Sequence, residues 1–213
     1  MRMVQLKEIP LPAPDEREIL RYAGVKQPTP EIEALMRECI RLTDGKLRGR
    51  VCWAEYPVSA EGERLNLSFA KVVSRSLMRN LEGCQSIVLF AATIGLEMDR
   101  LIARQARLSP ARAHMLEAIG TERIESLCDL FCAEIENARP RFSPGYGDVP
   151  LSLQREIFAA LDCPKHIGVS LNESLLMTPR KTVTAIVGMG APCAQKTGCQ
   201  TCTQINCTYR RSI

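Results

Sequence analysis

The run Ser86-Ile87-Val88-Leu89-Phe90-Ala91-Ala92-Thr93 limits what this chain can become more than any other stretch. Its almost unbroken apolar character marks a central strand covered on both faces, so other elements must lie above and below it. Residues 51–58 read as a second strand and residues 64–67 as its short partner, with Glu61-Gly62-Glu63 as the turn between them. Residues 166–169 and 181–187 read as further strands. The first fourteen residues carry Pro10, Pro12 and Pro14 and predict an extended arm or an edge strand.

Helix signals fall between these runs. Asp15 caps a short helix reaching Ala23, with Glu16 and Glu18 at its positive end and Gly24 as its stop. Thr29-Pro30-Glu31 opens a second helix, whose stripe of Ile32, Leu35, Met36, Cys39 and Ile40 runs to about Thr43 before Asp44-Gly45. Ser68 is expected to cap a third, with Val72, Val73, Leu77, Met78 and Leu81 as its apolar stripe and Gly83 as its end. Residues 94–99 turn into another. Ser109-Pro110 opens the longest, about 110–138, in which Gly120 is expected to kink or divide it, and a last helix covers 152–161. There is no repeat and no regular strand-helix alternation. The predicted class is α+β, a single central, largely antiparallel sheet flanked by helices, followed by a Cys-rich C-terminal tail. Residues 1–190 form one unit and 191–213 the tail.

A chain of 213 residues suits one such unit and can bury roughly 70% of its unfolded surface. The net charge of +4 is carried by scattered Arg rather than blocks, which favours an anionic small molecule or acidic partner over nucleic acid. No apolar run approaches the ~18–20 residues of a membrane span, and no signal-type region follows Met1, so a cytoplasmic protein is expected.

The loop Arg141-Phe142-Ser143-Pro144-Gly145-Tyr146-Gly147-Asp148-Val149-Pro150 has two prolines and two glycines in ten residues. That forbids a regular helix or central strand and predicts a shaped turn bearing one Arg and one Tyr between packed elements. Rigid loops of this kind are where binding residues concentrate. Rival chemistries are missing. There is no Gly-x-Gly-x-x-Gly after a strand and no phosphate loop ending in Gly-Lys-Ser/Thr. His114 and His166 are the only histidines and do not pair at metal-ligand spacing, so a His-based metal site or a Ser-His-Asp triad is not expected.

Cysteine usage divides the chain. Cys39, Cys52, Cys84, Cys128, Cys132 and Cys163 sit within apolar patterns and read as small buried hydrophobes. Cys193, Cys199, Cys202 and Cys207 crowd into the last 21 residues. One Cys-x-x-Cys is a half-site, and four thiolates can complete a zinc or iron–sulfur centre. The spacing matches no ferredoxin signature, and a redox-active thiol tail is the competing reading.

Arg141-x-x-Pro144-Gly145-Tyr146, followed by His166-Ile167-Gly168-Val169-Ser170-Leu171-Asn172-Glu173-Ser174-Leu175-Leu176-Met177-Thr178-Pro179, resembles the activation domain of cobalamin-dependent methionine synthase. The order and spacing agree over about residues 110–190, and the N-terminal half is similar to short free-standing versions of that domain. The resemblance implies S-adenosylmethionine as cofactor, presented to inactive cob(II)alamin on another protein for reductive remethylation. It implies that Arg141 holds the methionine carboxylate, that Pro144 and Gly145 shape the site, and that Tyr146 meets the corrin at the reacting face. It further implies an acid from the preceding helix near the cationic part of the ligand, with Glu125 the candidate and Asp129 the second choice; Glu173 belongs to the downstream motif. The chain lacks homocysteine, folate and cobalamin modules and an Asp-x-His-x-x-Gly motif. The implied partner is therefore a methionine synthase without its own activation domain, or another corrinoid protein, together with an electron donor such as flavodoxin. The chain would serve as the activation subunit of that methyltransferase. The alternative is a metal- or iron–sulfur-binding electron-transfer or regulatory protein on the same scaffold.

Overall fold

The structure is a computed structural model that describes residues 3–190. Four strands, β1 (Gln5–Ile9), β2 (Gly49–Pro57), β6 (Ser86–Thr93) and β9 (Thr182–Met189), form one sheet in the order β1-β2-β6-β9, with every neighbouring pair antiparallel. The central apolar run is β6, and its alternation builds two cores. Val88, Phe90 and Ala92 point into one, with Val51, Ala185 and Val187 beside them. Ile87, Leu89 and Ala91 point into the other, with Cys52, Ala54, Tyr56 and Ile186. A strand that is apolar at successive positions needs cover on both faces, and here it has it.

Over the first face lie helices α1 (Glu16–Tyr22), α2 (Pro30–Thr43), α4 (Glu97–Ala106) and α5 (Pro110–Ala133). Asp15 caps α1 by accepting from the N–H groups of Arg17 and Glu18, and Thr29 caps α2 through Ile32 N–H, as the cap signals predict. Phe131 of α5 packs against Trp53 and Phe90, with ring centroids 5.3 and 5.0 Å apart. Over the second face lie α3 (Arg75–Asn80), a 3-10 turn at Leu151–Leu153, α6 (Gln154–Leu161) and α7 (Cys163–Ile167). Cys39, Cys52, Cys128 and Cys163 are fully buried, in keeping with their reading as small hydrophobes.

Four local expectations are corrected. Residues 71–73 are strand β5 (Lys71–Val73) rather than helix: Val72 and Val73 pair with β4 (Arg64–Asn66), and the cap is Ser74, whose hydroxyl accepts from Leu77 N–H at 3.0 Å. Strand β4 pairs not with β2 but with β3 (Ser59–Glu61) and β5, in a separate three-stranded sheet. The segment 166–169 is not a strand, because α7 runs to Ile167 and Gly168, at φ +68°, ends it; the strands there are β7 (Ser170–Leu171) and β8 (Met177–Thr178). Gly120 does not divide α5, which is continuous from Pro110 to Ala133. A Cβ there would lie 2.8 Å from Lys181 Cε and 2.9 Å from Met98 Cγ, so its bareness lets α5 lie close to α4 and β9.

Gly49, the first residue of β2, has the same role where β1 and α5 come close. A Cβ at that position would stand 2.5 Å from the Ile9 carbonyl oxygen and 2.9 Å from Leu127 Cδ1. Backbone cannot yield as a side chain can, so Gly49→Ala should destabilise the fold by about 1–3 kcal/mol. Urea unfolding monitored by circular dichroism measures this; an unchanged midpoint would show that β1 can slide away freely.

Candidate functional site

Beyond α5 the chain returns to the open edge of β9. Arg139 N–H donates to Gly188 O at 2.8 Å, and Phe142 and Ile186 exchange a reciprocal pair of backbone bonds of 2.9 Å each. These bonds cover an edge that would otherwise be unpaired. They also set direction: Phe142 packs into the core under α3 and α6, so Arg141, one residue earlier, is aimed at the opposite face, where α5 lies.

The rest of the loop is pinned from both sides. Gly145 adopts φ +87° and donates to Val149 O at 3.0 Å, while Tyr146 N–H donates to Ser143 O at 3.2 Å. Gly147, at φ +55°, brings the backbone so close to α3 that a Cβ would stand 2.8 Å from Ser76 Oγ. Asp148 then caps α3 from outside: its carboxylate accepts from Ser74 Oγ at 2.5 Å, Arg75 N–H at 2.7 Å and Ser76 N–H at 3.1 Å. Pro144 is buried beneath the turn and Tyr146 projects from it, 70% exposed.

Arg141 reaches α5, where one terminal nitrogen donates to Glu125 Oε2 and the other to Asp129 Oδ1. Glu125 and Asp129 are one turn apart, so both face the same guanidinium. Burial works against the Arg141 charge, but the Asp129 hydrogen bond and the neighbouring Glu125 outweigh it, and the group stays cationic. Desolvation pushes the Cys128 thiol well up, so it backs this ion pair as a neutral group. Partly exposed pairs contribute only ~0–1 kcal/mol each, so the value of this fork lies in orientation more than stability.

On the far side of the same two carboxylates lies a cleft of about 370 Å³ between α1 and α5, lined by Asp15, Glu18, Tyr22, Glu122, Glu125, Ser126 and Asp129. Its floor is a fully buried clamp. Arg123 pairs with Glu122 at 2.5 Å and donates to the carbonyls of Pro12 and Ala13 at 2.5 and 3.2 Å, while Glu122 also accepts from Ser126 Oγ at 2.6 Å. Removing one partner of such a pair strands a charge and costs roughly 3–5 kcal/mol. The other acids of α5 are engaged too: Glu117 meets Arg180 and Lys181, Glu134 meets Lys7, and Glu122 is buried.

The structure therefore joins Arg141, Glu125 and Asp129 into one constellation. It does not bring Glu173 to them: that residue lies in the turn between β7 and β8, and its backbone carbonyl accepts from Arg155 at 2.9 Å. Asp15, Glu18, Tyr22 and Asp148 were not singled out from sequence as site residues; Asp15 was legible as a helix cap only. Cys193, Cys199, Cys202 and Cys207 lie outside the described residues. Among the described residues no group of three or more His, Cys, Asp or Glu is placed to hold a metal, and no helix is long and apolar enough to cross a membrane.

Asp148 gives the loop a pH signature. The Ser74 hydroxyl, then the Arg75 and Ser76 amides, hold its carboxyl well below the usual carboxylate range. Its stabilising effect is therefore complete above the unfolded value of about 3.9 and is lost as pH falls through the depressed folded value. Asp148→Asn should lower stability at neutral pH, and the gap from the parent chain should close as pH drops below about 4. Chemical denaturation across that range measures it; a pH-independent gap would rule out the carboxylate as the cause.

No family model matches the sequence, and no curated protein matches it. The fold is similar to a solved structure described as the MetH reactivation domain bound to AdoHcy, with a TM-score of 0.64 and 17% identity over 92% of this chain and 81% of that one. What the two share at that identity is the fold.

Proposed function

We propose that this chain binds S-adenosylmethionine between α1, α5 and the 141–150 loop and presents its methyl group to a corrinoid on a partner protein. The partner is a methionine synthase without its own activation domain, or another corrinoid protein. The observation that carries this reading is the Arg141 fork, bonded to Glu125 and Asp129, two of the carboxylates that line the acidic cleft. A guanidinium has five N–H donors, and its two bonds to α5 leave others for an incoming carboxylate. Charge-assisted bonds of this kind contribute roughly 1.5–3 kcal/mol, and a planar fork suits a carboxylate better than an ammonium does. The acids beside it suit the ligand's ammonium and sulfonium. The fold likeness to a domain solved with AdoHcy supports the same ligand class.

The reaction asks little acid–base work of this chain. One electron from a separate donor such as flavodoxin, and the transferred methyl, restore the methylated corrinoid, and the sulfonium departs as a neutral thioether. The protein's contribution is alignment, which supplies up to ~7–11 kcal/mol when a bimolecular step becomes effectively intramolecular. Tyr146 stands exposed on its pinned turn, where a docked corrin would cover it. Calorimetry with S-adenosylmethionine tests the site: Arg141→Ala should weaken binding at least tenfold with the circular dichroism spectrum unchanged. Tyr146→Ala should leave affinity within about twofold yet slow methyl transfer to the partner. Equal affinity of the parent and Arg141→Ala chains would overturn the assignment.

A second reading rests on the tail. Four cysteines within the last 21 residues are a thiolate donor set for zinc or an iron–sulfur cluster, beside a task that consumes an electron. Metal analysis and the visible spectrum of the full chain, purified without oxygen, should show about one bound centre; a colourless, metal-free protein would overturn it.

A further inference from the structure

Cys84 sits where the described chain ends. Cys39, Cys52, Cys128 and Cys163 are fully buried, whereas Cys84 is half-buried, in the turn between α3 and β6. The end of β9 runs along its sulfur. A Cβ at Gly188 would stand 2.7 Å from Cys84 Sγ, and one at Gly190 would stand 3.0 Å from it. Any side chain at either position would press on the thiol, so only bare backbone lies on that side of the sulfur. Gly190 is fixed there, its N–H donating to Asn137 O at 3.3 Å.

The same corner holds a buried cation. Arg139 is 9% exposed and has no acidic partner among the described residues. One terminal nitrogen donates to Glu82 O at 3.0 Å, two residues before Cys84, and the buried Nε has no acceptor among the described residues. Its Cγ would lie 3.1 Å from a Cβ on Gly188, the same point that Cys84 Sγ approaches from the other side. Arginine is rarely buried this far without a paired charge, because a desolvated cation alone is costly. The corner therefore has a place for an anion. The chain leaves it toward four more thiols. Cys193 follows Gly190 by three residues, a reach of at most about 11 Å, and Cys199, Cys202 and Cys207 come after it, outside the described residues. A divalent ion held by four thiolates is a dianion, and the sulfurs of such a centre accept hydrogen bonds from N–H donors.

Taking the C-terminal cysteines as a thiolate donor set, we propose that Cys84 is the ligand by which the folded body holds their metal centre, with Arg139 as its counter-ion. Five thiols are then available for four positions. The Cys199-x-x-Cys202 pair fills two, Cys84 a third, and Cys193 or Cys207 the fourth. A centre tied to Cys84 is fixed to the end of β9, on the edge that also carries the segment of Arg139 and Arg141.

The test uses the full chain purified without oxygen, with zinc, iron and acid-labile sulfide measured on one sample. Zinc alone identifies a structural ion, and iron with sulfide identifies a cluster; either fits the donor set. Cys84→Ser should retain less than a tenth of the parent's metal. In competition with a chromophoric chelator it should bind Zn2+ at least tenfold more weakly, with its circular dichroism spectrum unchanged. A second measurement needs no variant: iodoacetamide labelling of the metal-loaded parent, read by peptide mass spectrometry, should find Cys84 protected, and removal of the metal should expose it. Undiminished metal binding by Cys84→Ser, or equal labelling of Cys84 with and without metal, would overturn the assignment of Cys84 while leaving the tail's donor set intact. A metal-free parent chain would overturn the tail reading, and the assignment with it.

Discussion

The reciprocal hydrogen bonds between Phe142 and Ile186 are the join on which the site depends. Once Phe142 is registered on the edge of β9, its ring goes to one core and the preceding side chain must go to the other face. Arg141 then has little choice of neighbour, because the helix lying there is α5. A slip of one residue would bury the guanidinium and expose the ring. The ion pair with Glu125 and Asp129 follows from sheet register, and so does the loop's position above α3.

Around this join the rigidity is distributed. Asp148 fastens the loop to α3, Asn80 donates to the Pro140 carbonyl at 3.1 Å, and Arg139 donates to the Glu82 carbonyl at 3.0 Å. Each bond is modest, about 0.5–1.5 kcal/mol net. Together they hold the segment before and after Arg141 without making Arg141 itself immobile. That combination suits a group that must keep its place while exchanging partners.

Much of the architecture was legible because its signals are local. Caps at Asp15 and Thr29, the proline-opened helix at Pro110 and the two-sided apolar run of β6 each state their structure within a few residues. The errors arose where a local signal was read without its tertiary partner. Val72 and Val73 fit a helical stripe, yet their β-branched side chains pair better with β4. Gly120 looked like a break until Met98 and Lys181 were seen to occupy its space. Arg141, Glu125 and Asp129 were named through the resemblance, and the structure brings the three side chains together. The contribution of Asp15, Glu18 and Tyr22 was not legible, since nothing near residue 15 reveals that α1 will lie along α5. Asp148 was hidden likewise, with its partners 72 to 74 residues earlier in the chain.

The Arg123 clamp on the carbonyls of Pro12 and Ala13 spans 110 and 111 residues of sequence. The cleft is therefore walled on one side by the earliest part of the chain and on the other by the middle. Such contacts form late, since their loop-closure cost must be met before they reward the chain. A molecule held there recognises only the completed fold and has nothing to bind in a partly assembled one. Any molecule that bound there would have its occupancy and the global stability of the chain tied in one linked equilibrium.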